Sequence, residues 1–565
     1  MTAAGTSTTE AAVPADGART RVPGRPIAWF VVLGAGIAVL QTLRIATSNR
    51  VGAPSMFVDD AYYYFKIAQH VVAGDGSTFD GISHTNGYHP LWLIVLIPVF
   101  AIVHSRNAAL TVVKALCGAL WIATLWQVGR IGRAAGASVA MWIGCLPIAI
   151  YAALSPRSLP FAGVETGLVL PLLLAAIVPL VRAAHTAARD EWIAGGWLAI
   201  AVLARLDAVY VVGFLALLAA VRATEQRGLR RVLALVRVGV PGGAVFVADM
   251  VVNRIWFGAA LTTATRAKTM TPPTANNFPL HQYFNDPASM PIIVGVGTAS
   301  GLVALAALVA TRLARGDHAR RAPLIRLAEV VAALWLAGAL STLVFDRQSS
   351  WALYPWYYYE AFLVLLLGPG VVIAALAPDL RIPSLSRRVL LIATGATVIA
   401  GAVIGSALQL DANGSENFLT QNAAAAMALN HVLPKNAVVA MGDRAGVVGY
   451  FLDRPVVQLE GIANSNEFLD AVQHGHAHAF LRGEHVAYYI KSADLSARLL
   501  LEHNGGPDPG AQECGFRFEP YFGGGNKVVF NVCQRDIVFA TPIAKGEQLV
   551  VWRYRGGADV FHVPG

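Results

Sequence analysis

Apolar segments of about 20 residues recur between residues 27 and 408 of this 565-residue chain, separated by short polar turns. A segment of that length is what an α-helix needs to cross roughly 30 Å of hydrocarbon. The composition agrees, because 56% of the residues are hydrophobic and only 14% are charged, against roughly 25% charged in a soluble domain. The pattern predicts an α-helical polytopic membrane protein.

The apolar segments divide the chain into three parts. Residues 1–26 carry no apolar stretch and are predicted to form a disordered cytoplasmic tail. Residues 27–410 form the predicted transmembrane domain, and its first segment lacks a small-residue cleavage pattern, so it is predicted to be a retained helix. After residue 410 polar residues become frequent. Residues 411–565 are predicted to be an α/β domain, with helices near 417–432 and 445–451 and strands at 437–441, 456–459, 486–490, 527–531 and 548–553.

Eleven spans are predicted, at about 27–46, 108–129, 137–154, 164–182, 192–205, 208–221, 232–252, 290–311, 324–345, 358–377 and 389–409. The apolar piece at 91–103 is short for a span and is interpreted as a re-entrant or interfacial helix. With that choice every loop assigned to the cytoplasm is basic, as the positive-inside rule expects. The N-terminus is then cytoplasmic and the C-terminal domain extracytoplasmic, in a plasma (inner) membrane. The basic residues of the cytoplasmic loops account for the net charge of +9, so nucleic acid is not an expected partner.

Two adjacent acids, Asp59 and Asp60, lie in the first predicted outer loop, residues 47–90. Either acid can cap a helix that runs to about Val72 and ends at Gly74. Capping uses one carboxylate and leaves a second beside it at a membrane boundary. Because adjacent acids repel, one pKa is expected to rise toward the range of a general base.

Further polar residues fall in the same predicted outer loops. Three tyrosines follow the acidic pair and are typical of an interfacial aromatic belt. Two histidines five residues apart suit metal, phosphate or hydrogen bonds within their loop. An acid that opens a span is favoured by the helix dipole, and charges between two spans are costly unless they pair or serve function. Cations beside aromatic residues suit an anionic lipid head group, or they snorkel at an aromatic belt. These residues are Tyr62, Tyr63, Tyr64, His84, Asn86, His89, Glu165, Arg205, Asp207, Arg266, Lys268 and Arg347.

The four cysteines divide between the two large parts of the chain. Cys117 and Cys145 lie within predicted spans, where a buried free thiol is ordinary. Cys514 and Cys533 both lie in the predicted exported domain, whose compartment permits a disulfide. Spacing alone leaves that bridge open.

The pattern resembles the polytopic GT-C glycosyltransferases, including the protein mannosyltransferase-like and arabinosyltransferase-like enzymes. The resemblance covers about residues 27–410, with a looser match through residues 442–465. Its motifs are DDAYYYF, TNGYHPLW, GVETG, and ARLDA followed by FGAALTTATRAK. A WWDYG-type motif is absent from the sequence, which argues against asparagine-linked glycan transfer.

The resemblance implies an inverting transfer of a sugar, mannose or arabinose being favoured, from a polyprenyl-phosphate donor to a cell-envelope glycan or protein. Asp59 matches the family's general base, and Asp60 the residue that positions the acceptor or assists. The candidates for the donor phosphate are Arg266, Lys268 and Arg347. Those for the acceptor or sugar are Tyr63, His84, Asn86, His89, Glu165, Arg205 and Asp207. Some members bind a divalent metal at the acidic pair and others do not, which leaves the metal open.

Two other classes of function fit part of the pattern. A transporter or flippase of a lipid-linked sugar also places charged residues near membrane depth, but it predicts matched broken helices in the two halves, and none are visible in the sequence. A non-catalytic envelope assembly protein accounts for the exported domain without using the acidic pair.

Overall fold

The computed structural model describes residues 25–48, 52–182, 188–223, 228–270, 290–314, 318–349, 351, 353–377, 417–494, 514–519, 527–543 and 547–560. The predicted span at 389–409 and nearly all of the predicted tail lie outside these residues. The apolar part is helical, with α1 (Arg25–Thr47), α2 (Asp59–Ala73), α3 (Pro90–Ile102), α4 (Arg106–Ala134), α5 (Ser138–Leu154), α6 (Thr166–Arg182), α7 (Ala188–Ala204), α8 (Val209–Arg222), α9 (Gly228–Phe257), α10 (Thr263–Thr269), α11 (Met290–Leu313), α12 (His318–Gln348) and α13 (Tyr359–Leu376).

Ten of these helices coincide with predicted spans: α1, α4 to α9, and α11 to α13. Within the described chain, six helices are long and apolar enough to cross a membrane, namely α1, α4, α9, α11, α12 and α13. Helices α3, α5 and α6 are apolar but shorter. The predicted fold class is confirmed, while the count of eleven spans stays a prediction.

Small residues allow the long helices to pack closely. A Cβ atom at Gly118 of α4 would lie 2.8 Å from Cβ of Ala38 in α1. At Gly144 of α5 it would lie 2.2 Å from the main-chain nitrogen of Gly370 in α13. Close backbone approach through small residues is how helices associate in lipid, where burial of apolar surface gives little drive.

Helix α3 has 13 residues, which gives a length of about 20 Å. This is shorter than a bilayer core of roughly 30 Å. Helix α4 begins only a few residues later, at Arg106, and α3 packs against both α2 and α4. This geometry fits the predicted re-entrant or interfacial helix.

The C-terminal part is α/β. Its five-stranded sheet has the order β2-β1-β3-β7-β6, in which β1 runs parallel to β2 and β3 while β7 is antiparallel to β3 and β6. A second, antiparallel sheet has the order β4-β5-β8. The elements are α14 (Phe418–Val432), β1 (Val438–Met441), α15 (Ala445–Phe451), β2 (Val456–Gln458), α16 (Asn466–His474), α17 (Ala477–Gly483), β3 (Val486–Asp494), β4 (Cys514–Glu519), β5 (Lys527–Cys533), β6 (Ile537–Pro542), β7 (Glu547–Arg553) and β8 (Gly557–Val560).

The cysteines follow this division of the chain. Cys514 in β4 and Cys533 in β5 are opposite one another in the sheet register and form a disulfide. Cys117 and Cys145 are free and buried within the helical part. The disulfide therefore joins the two ends of a β-hairpin in the C-terminal region.

Candidate functional site

Helix α2 carries the acidic pair in its first turn. Extended Val58 occupies the N-cap position, so neither acid caps its own helix, contrary to the prediction. Asp59 instead accepts hydrogen bonds from the main-chain N–H groups of Gly446 (3.1 Å) and Val447 (2.9 Å). The other end of α2 is as predicted, because Gly74 takes the left-handed conformation (φ 90°) that ends helices.

A cavity of about 270 Å³ opens beside α2. Of the two acids, only Asp60 is among the described residues that line it. An apolar and aromatic side of the cavity is formed by Val344, Phe345, Leu353 and Trp356, which come from α12 and from the segment before α13. The polar residues of the described lining are Asp60, Tyr63, Tyr64, Tyr88, His89, Glu165, Arg205, Asp207, Tyr210, Thr262, Thr265, Lys268, Thr269, Ser341, Thr342, Gln348, Ser349 and Tyr357.

Both acids of the pair are weaker acids than usual. Burial, against the opposing charge of Lys268 and with the charges of Glu165 and Asp443, raises the pKa of Asp60 to about 6. Burial also raises the pKa of Asp59 to about 7, against the hydrogen bond from Val447. Asp60 therefore combines contact with the cavity and a pKa near neutrality, the two properties that a general base needs.

An ion-pair network fixes one wall of the cavity. The Arg205 guanidinium donates to Oε1 of Glu165, and its Nε donates to Asp207 at 2.8 and 3.1 Å. Tyr64 donates its hydroxyl to Oε2 of Glu165 at 2.8 Å. Of the two alternatives that the sequence left open for Arg205 and Asp207, pairing or function, the pairing is present, and Glu165 joins it.

His89 connects this network to the start of α3. Its Nδ1 accepts a hydrogen bond from the main-chain N–H of Leu206 at 3.2 Å, so the proton of the neutral ring is on Nε2. That Nε2 lies 3.8 Å from Oε1 of Glu165. Burial lowers the pKa of His89, which favours a neutral imidazole beside the cavity.

Helix α10 presents a polar face to the cavity. Thr262 caps this helix by accepting from the N–H of Thr265 at 3.2 Å. Thr265, Lys268 and Thr269 follow at helical spacing and all line the cavity. The Lys268 ammonium donates to the hydroxyl of Tyr357 at 2.6 Å. Burial lowers the pKa of Lys268, but Tyr357 and Asp60 outweigh that effect and raise it, so the lysine is a cation in the cavity.

The structure does not bring the three predicted phosphate ligands together. Lys268 lines the cavity, whereas Arg266 binds Asn466 (2.5 Å) and Asp470 (2.6 Å) of α16. Arg347 is exposed near the end of α12 and is not among the described lining residues. Arg266 and Lys268 lie two positions apart, so they project from different faces of α10.

Two of the predicted acceptor residues also lie away from the cavity. His84 is exposed in an isolated bridge with Thr78. Asn86 is buried, and its side-chain oxygen accepts from the N–H of Thr263 at 2.9 Å. Neither is among the described residues of the lining. Asn86 therefore holds the start of α10 against the loop that precedes α3.

The tyrosines after the acidic pair do not form an interfacial belt. All three are buried, because α2 is enclosed by other parts of the protein. Tyr62 donates to the carbonyl of Pro54 at 2.8 Å, Tyr63 packs against Phe79, and Tyr64 binds Glu165. The belt interpretation is wrong for this triplet.

Several lining residues were not predicted from the sequence. The threonines of α10 had a signal, since Thr262, Thr265 and Thr269 recur with the i, i+3, i+7 spacing of one helical face. Tyr357 lies in an aromatic run without a distinguishing pattern. Ile462 and Ala463 reach the cavity from the C-terminal part, which only the tertiary structure reveals.

The described residues do not fit a divalent metal at the acidic pair. No group of three or more His, Cys, Asp or Glu side chains among them is arranged to hold a metal ion. Both oxygens of Asp59 accept main-chain N–H groups, which is the chemistry of an anion held by amides.

No family model and no curated relative match the chain. Several solved structures do match, among them two of ArnT from Cupriavidus metallidurans. The structure bound to undecaprenyl phosphate aligns with a TM-score of 0.47 at 11% identity, and the apo structure with 0.43 at 12%. Each alignment covers 93% of this chain and 98% of that chain. With TM-scores below 0.5, these likenesses carry no argument about function.

Proposed function

We propose that this protein is a GT-C-type membrane glycosyltransferase that moves one sugar from a polyprenyl-phosphate donor to a hydroxyl group of an extracytoplasmic acceptor. The supporting observation is that Asp60 and Lys268 line one cavity beside a bundle of apolar helices. A carboxylate whose pKa is about 6 suits an acceptor hydroxyl, and a buried ammonium suits a phosphate.

Asp60 acts as the general base in this proposal. Its carboxylate takes the proton of the acceptor hydroxyl as that oxygen forms a bond to C1 of the sugar. The bond between C1 and the phosphate oxygen breaks on the opposite face, so the configuration at C1 inverts. The carboxylate also stabilises the positive charge that develops on the sugar ring. Asp59 is less suited to this step because Gly446 and Val447 occupy both of its oxygens.

Lys268 binds the donor phosphate and stabilises the charge that it gains as the bond to sugar breaks. The hydroxyls of Thr265 and Thr269 lie on the same helical face and supply further donors. Phe345 and Trp356 line the apolar side of the cavity, which suits the hydrocarbon next to the phosphate. The donor thus approaches from the helical bundle.

The Glu165, Arg205 and Asp207 network orients this cavity and offers polar groups to the sugar. Mannose and arabinose are the sugars that we favour, with a cell-envelope glycan or protein as acceptor. We propose that the protein lies in the plasma membrane, with its N-terminus in the cytoplasm and its C-terminal part outside.

The direct test is bond cleavage. Purified protein in nanodiscs is incubated with radiolabelled polyprenyl-phosphate mannose, polyprenyl-phosphate arabinose and the corresponding nucleotide sugars, each with cell-envelope acceptor fractions. We expect release of polyprenyl phosphate and labelled acceptor with one of the lipid donors and with none of the nucleotide sugars. Turnover of nucleotide sugars alone would contradict the proposed donor class.

The same samples separate the transferase from a flippase. Reconstituted in liposomes, a flippase moves the intact lipid-linked sugar across the bilayer without breaking its glycosidic bond. Movement of intact donor without any cleavage would replace our proposal by the transport function. Absence of both activities would favour an assembly role.

A further inference from the structure

The C-terminal part docks on the acidic helix through a close main-chain contact. A Cβ atom at Gly446 would lie 2.4 Å from the carbonyl oxygen of Asp59 and 2.8 Å from its Oδ2. Only glycine lets the N–H groups of residues 446 and 447 reach the carboxylate. The donors of these two hydrogen bonds are separated from Asp59 by 387 and 388 positions in the sequence. Asp59 therefore links the two large parts of the molecule.

Helix α15 continues this interface as an aromatic contact. The ring of Tyr450 lies 5.4 Å from that of Tyr62, 6.0 Å from that of Phe65 and 6.3 Å from that of Phe100. Its hydroxyl donates to the carbonyl of Arg106 at 3.2 Å. The apolar contact stabilises the packing of the C-terminal part against α2. The carboxylate of Asp59 fixes their relative position, because its hydrogen bonds are directional.

The same C-terminal part supplies a wall of the cavity. Ile462 and Ala463 line it, and the carbonyl of Ile462 accepts a hydrogen bond from the hydroxyl of Thr263 at 3.3 Å. A Cβ atom at Gly87 would lie 1.8 Å from that carbonyl oxygen. The wall is therefore built against both the loop before α3 and the start of α10.

We propose that Asp59 is a positioning residue that fastens the C-terminal part to α2, so that Ile462 and Ala463 form the acceptor side of the cavity. This inference rests on the proposed function. The lipid-linked donor approaches past Phe345 and Trp356 of the helical bundle. The acceptor contacts the wall that the α/β part contributes. Residues 462 and 463 are therefore determinants of acceptor specificity.

The inference predicts that the two adjacent acids fail in different ways when replaced. In Asp59→Ala, hydrogen exchange of peptides covering residues 445–451 and 461–466 rises at least tenfold, KM for the acceptor rises about tenfold and KM for the donor stays within twofold. Gly446→Ala gives the same changes, since its methyl group pushes the two parts apart. Asp60→Asn, in the same helical turn, lowers kcat and leaves the exchange of both peptides unchanged.

A third variant tests the wall itself. Ile462→Ala leaves the contact of Asp59 intact, so we expect unchanged exchange at 445–451 and an altered ranking of acceptors. The inference is overturned if Asp59→Asn abolishes kcat while exchange and both KM values stay as in the wild type, because Asp59 is then the base. It is also overturned if Asp59→Ala leaves both peptides protected. Should the wild type transfer no sugar, the proposed function fails, and the exchange experiment still tests the docking role of Asp59.

Discussion

The ammonium of Lys268 lies 2.6 Å from the hydroxyl oxygen of Tyr357, which joins α10 to the segment before α13 across the cavity. If this cation meets the donor phosphate, Lys268→Met removes a charge-assisted interaction worth about 2 kcal/mol. We expect KM for the donor to rise at least tenfold, and Tyr357→Phe to have a smaller effect. Initial rates at varied donor concentration measure both.

Arg347→Gln is the matched control for that lysine. Both residues were predicted from the sequence to bind the donor phosphate, but Arg347 is exposed and is not among the described residues lining the cavity. We expect its KM for the donor to stay within twofold of the wild type. Equal losses in the two variants would show that the cavity does not hold the phosphate.

The pH profile reports the ionisation of Asp60. Its pKa is raised to about 6, and a general base must be deprotonated, so kcat/KM is expected to rise with pH through about 6 and then level off. Because Lys268 lowers the pKa of Asp60, Lys268→Met should move this limb to higher pH. If the rise of kcat/KM occurred at the same pH in Lys268→Met as in the wild type, the assignment of the titrating group to Asp60 would be contradicted.

Glu165→Gln tests the buried network through stability. Arg205 and Glu165 are both nearly inaccessible to solvent, so the substitution leaves a buried guanidinium with less compensation. A loss of about 3 kcal/mol in the free energy of unfolding is expected, read as a lower melting temperature in detergent. Glu329→Gln removes the more exposed pair with Arg222 and should cost clearly less. Similar melting temperatures for the two variants would contradict this ranking.

The orientation in the membrane has its own test. Helix α4 has 29 residues, a length of about 43 Å, and Arg106 at its start binds Asp453 of the C-terminal part. Arg133 lies near its other end and is exposed, as is Gln473 on α16. In intact cells a membrane-impermeant thiol reagent should label Gln473→Cys and not Arg133→Cys. The reverse result would invert the predicted topology.

The helical part was predictable because lipid imposes one strong rule on the sequence. Apolar length located ten helices, whereas the re-entrant or interfacial course of the short piece at 91–103 stays a prediction. The helix from Asp59 was found through its glycine end signal. The N-cap of this helix was not predicted, because the side chain of Asp59 binds the main-chain N–H groups of residues 446 and 447, which are distant in sequence.

The sequence indicated several residues of the site, but not how they are arranged in space. Charges that are costly near a membrane indicated Glu165, Arg205 and Asp207, and these do meet. The separation of Arg266 from Lys268 depends on which face of α10 contacts α16. Such tertiary contacts leave no local pattern, and for the same reason strands β4, β6 and β8 and the wall residue Ile462 were not predicted.

The most direct test of the proposed function compares Asp60→Asn with the wild type in transfer from the labelled polyprenyl-phosphate donor. Asp75→Asn is the control, because it changes an exposed acid beyond the end of α2 that pairs with His70. We predict that Asp60→Asn lowers kcat by a factor of about 10² to 10⁴, while Asp75→Asn retains wild-type kcat. Turnover by Asp60→Asn at the wild-type rate would contradict the proposal that this carboxylate is the base.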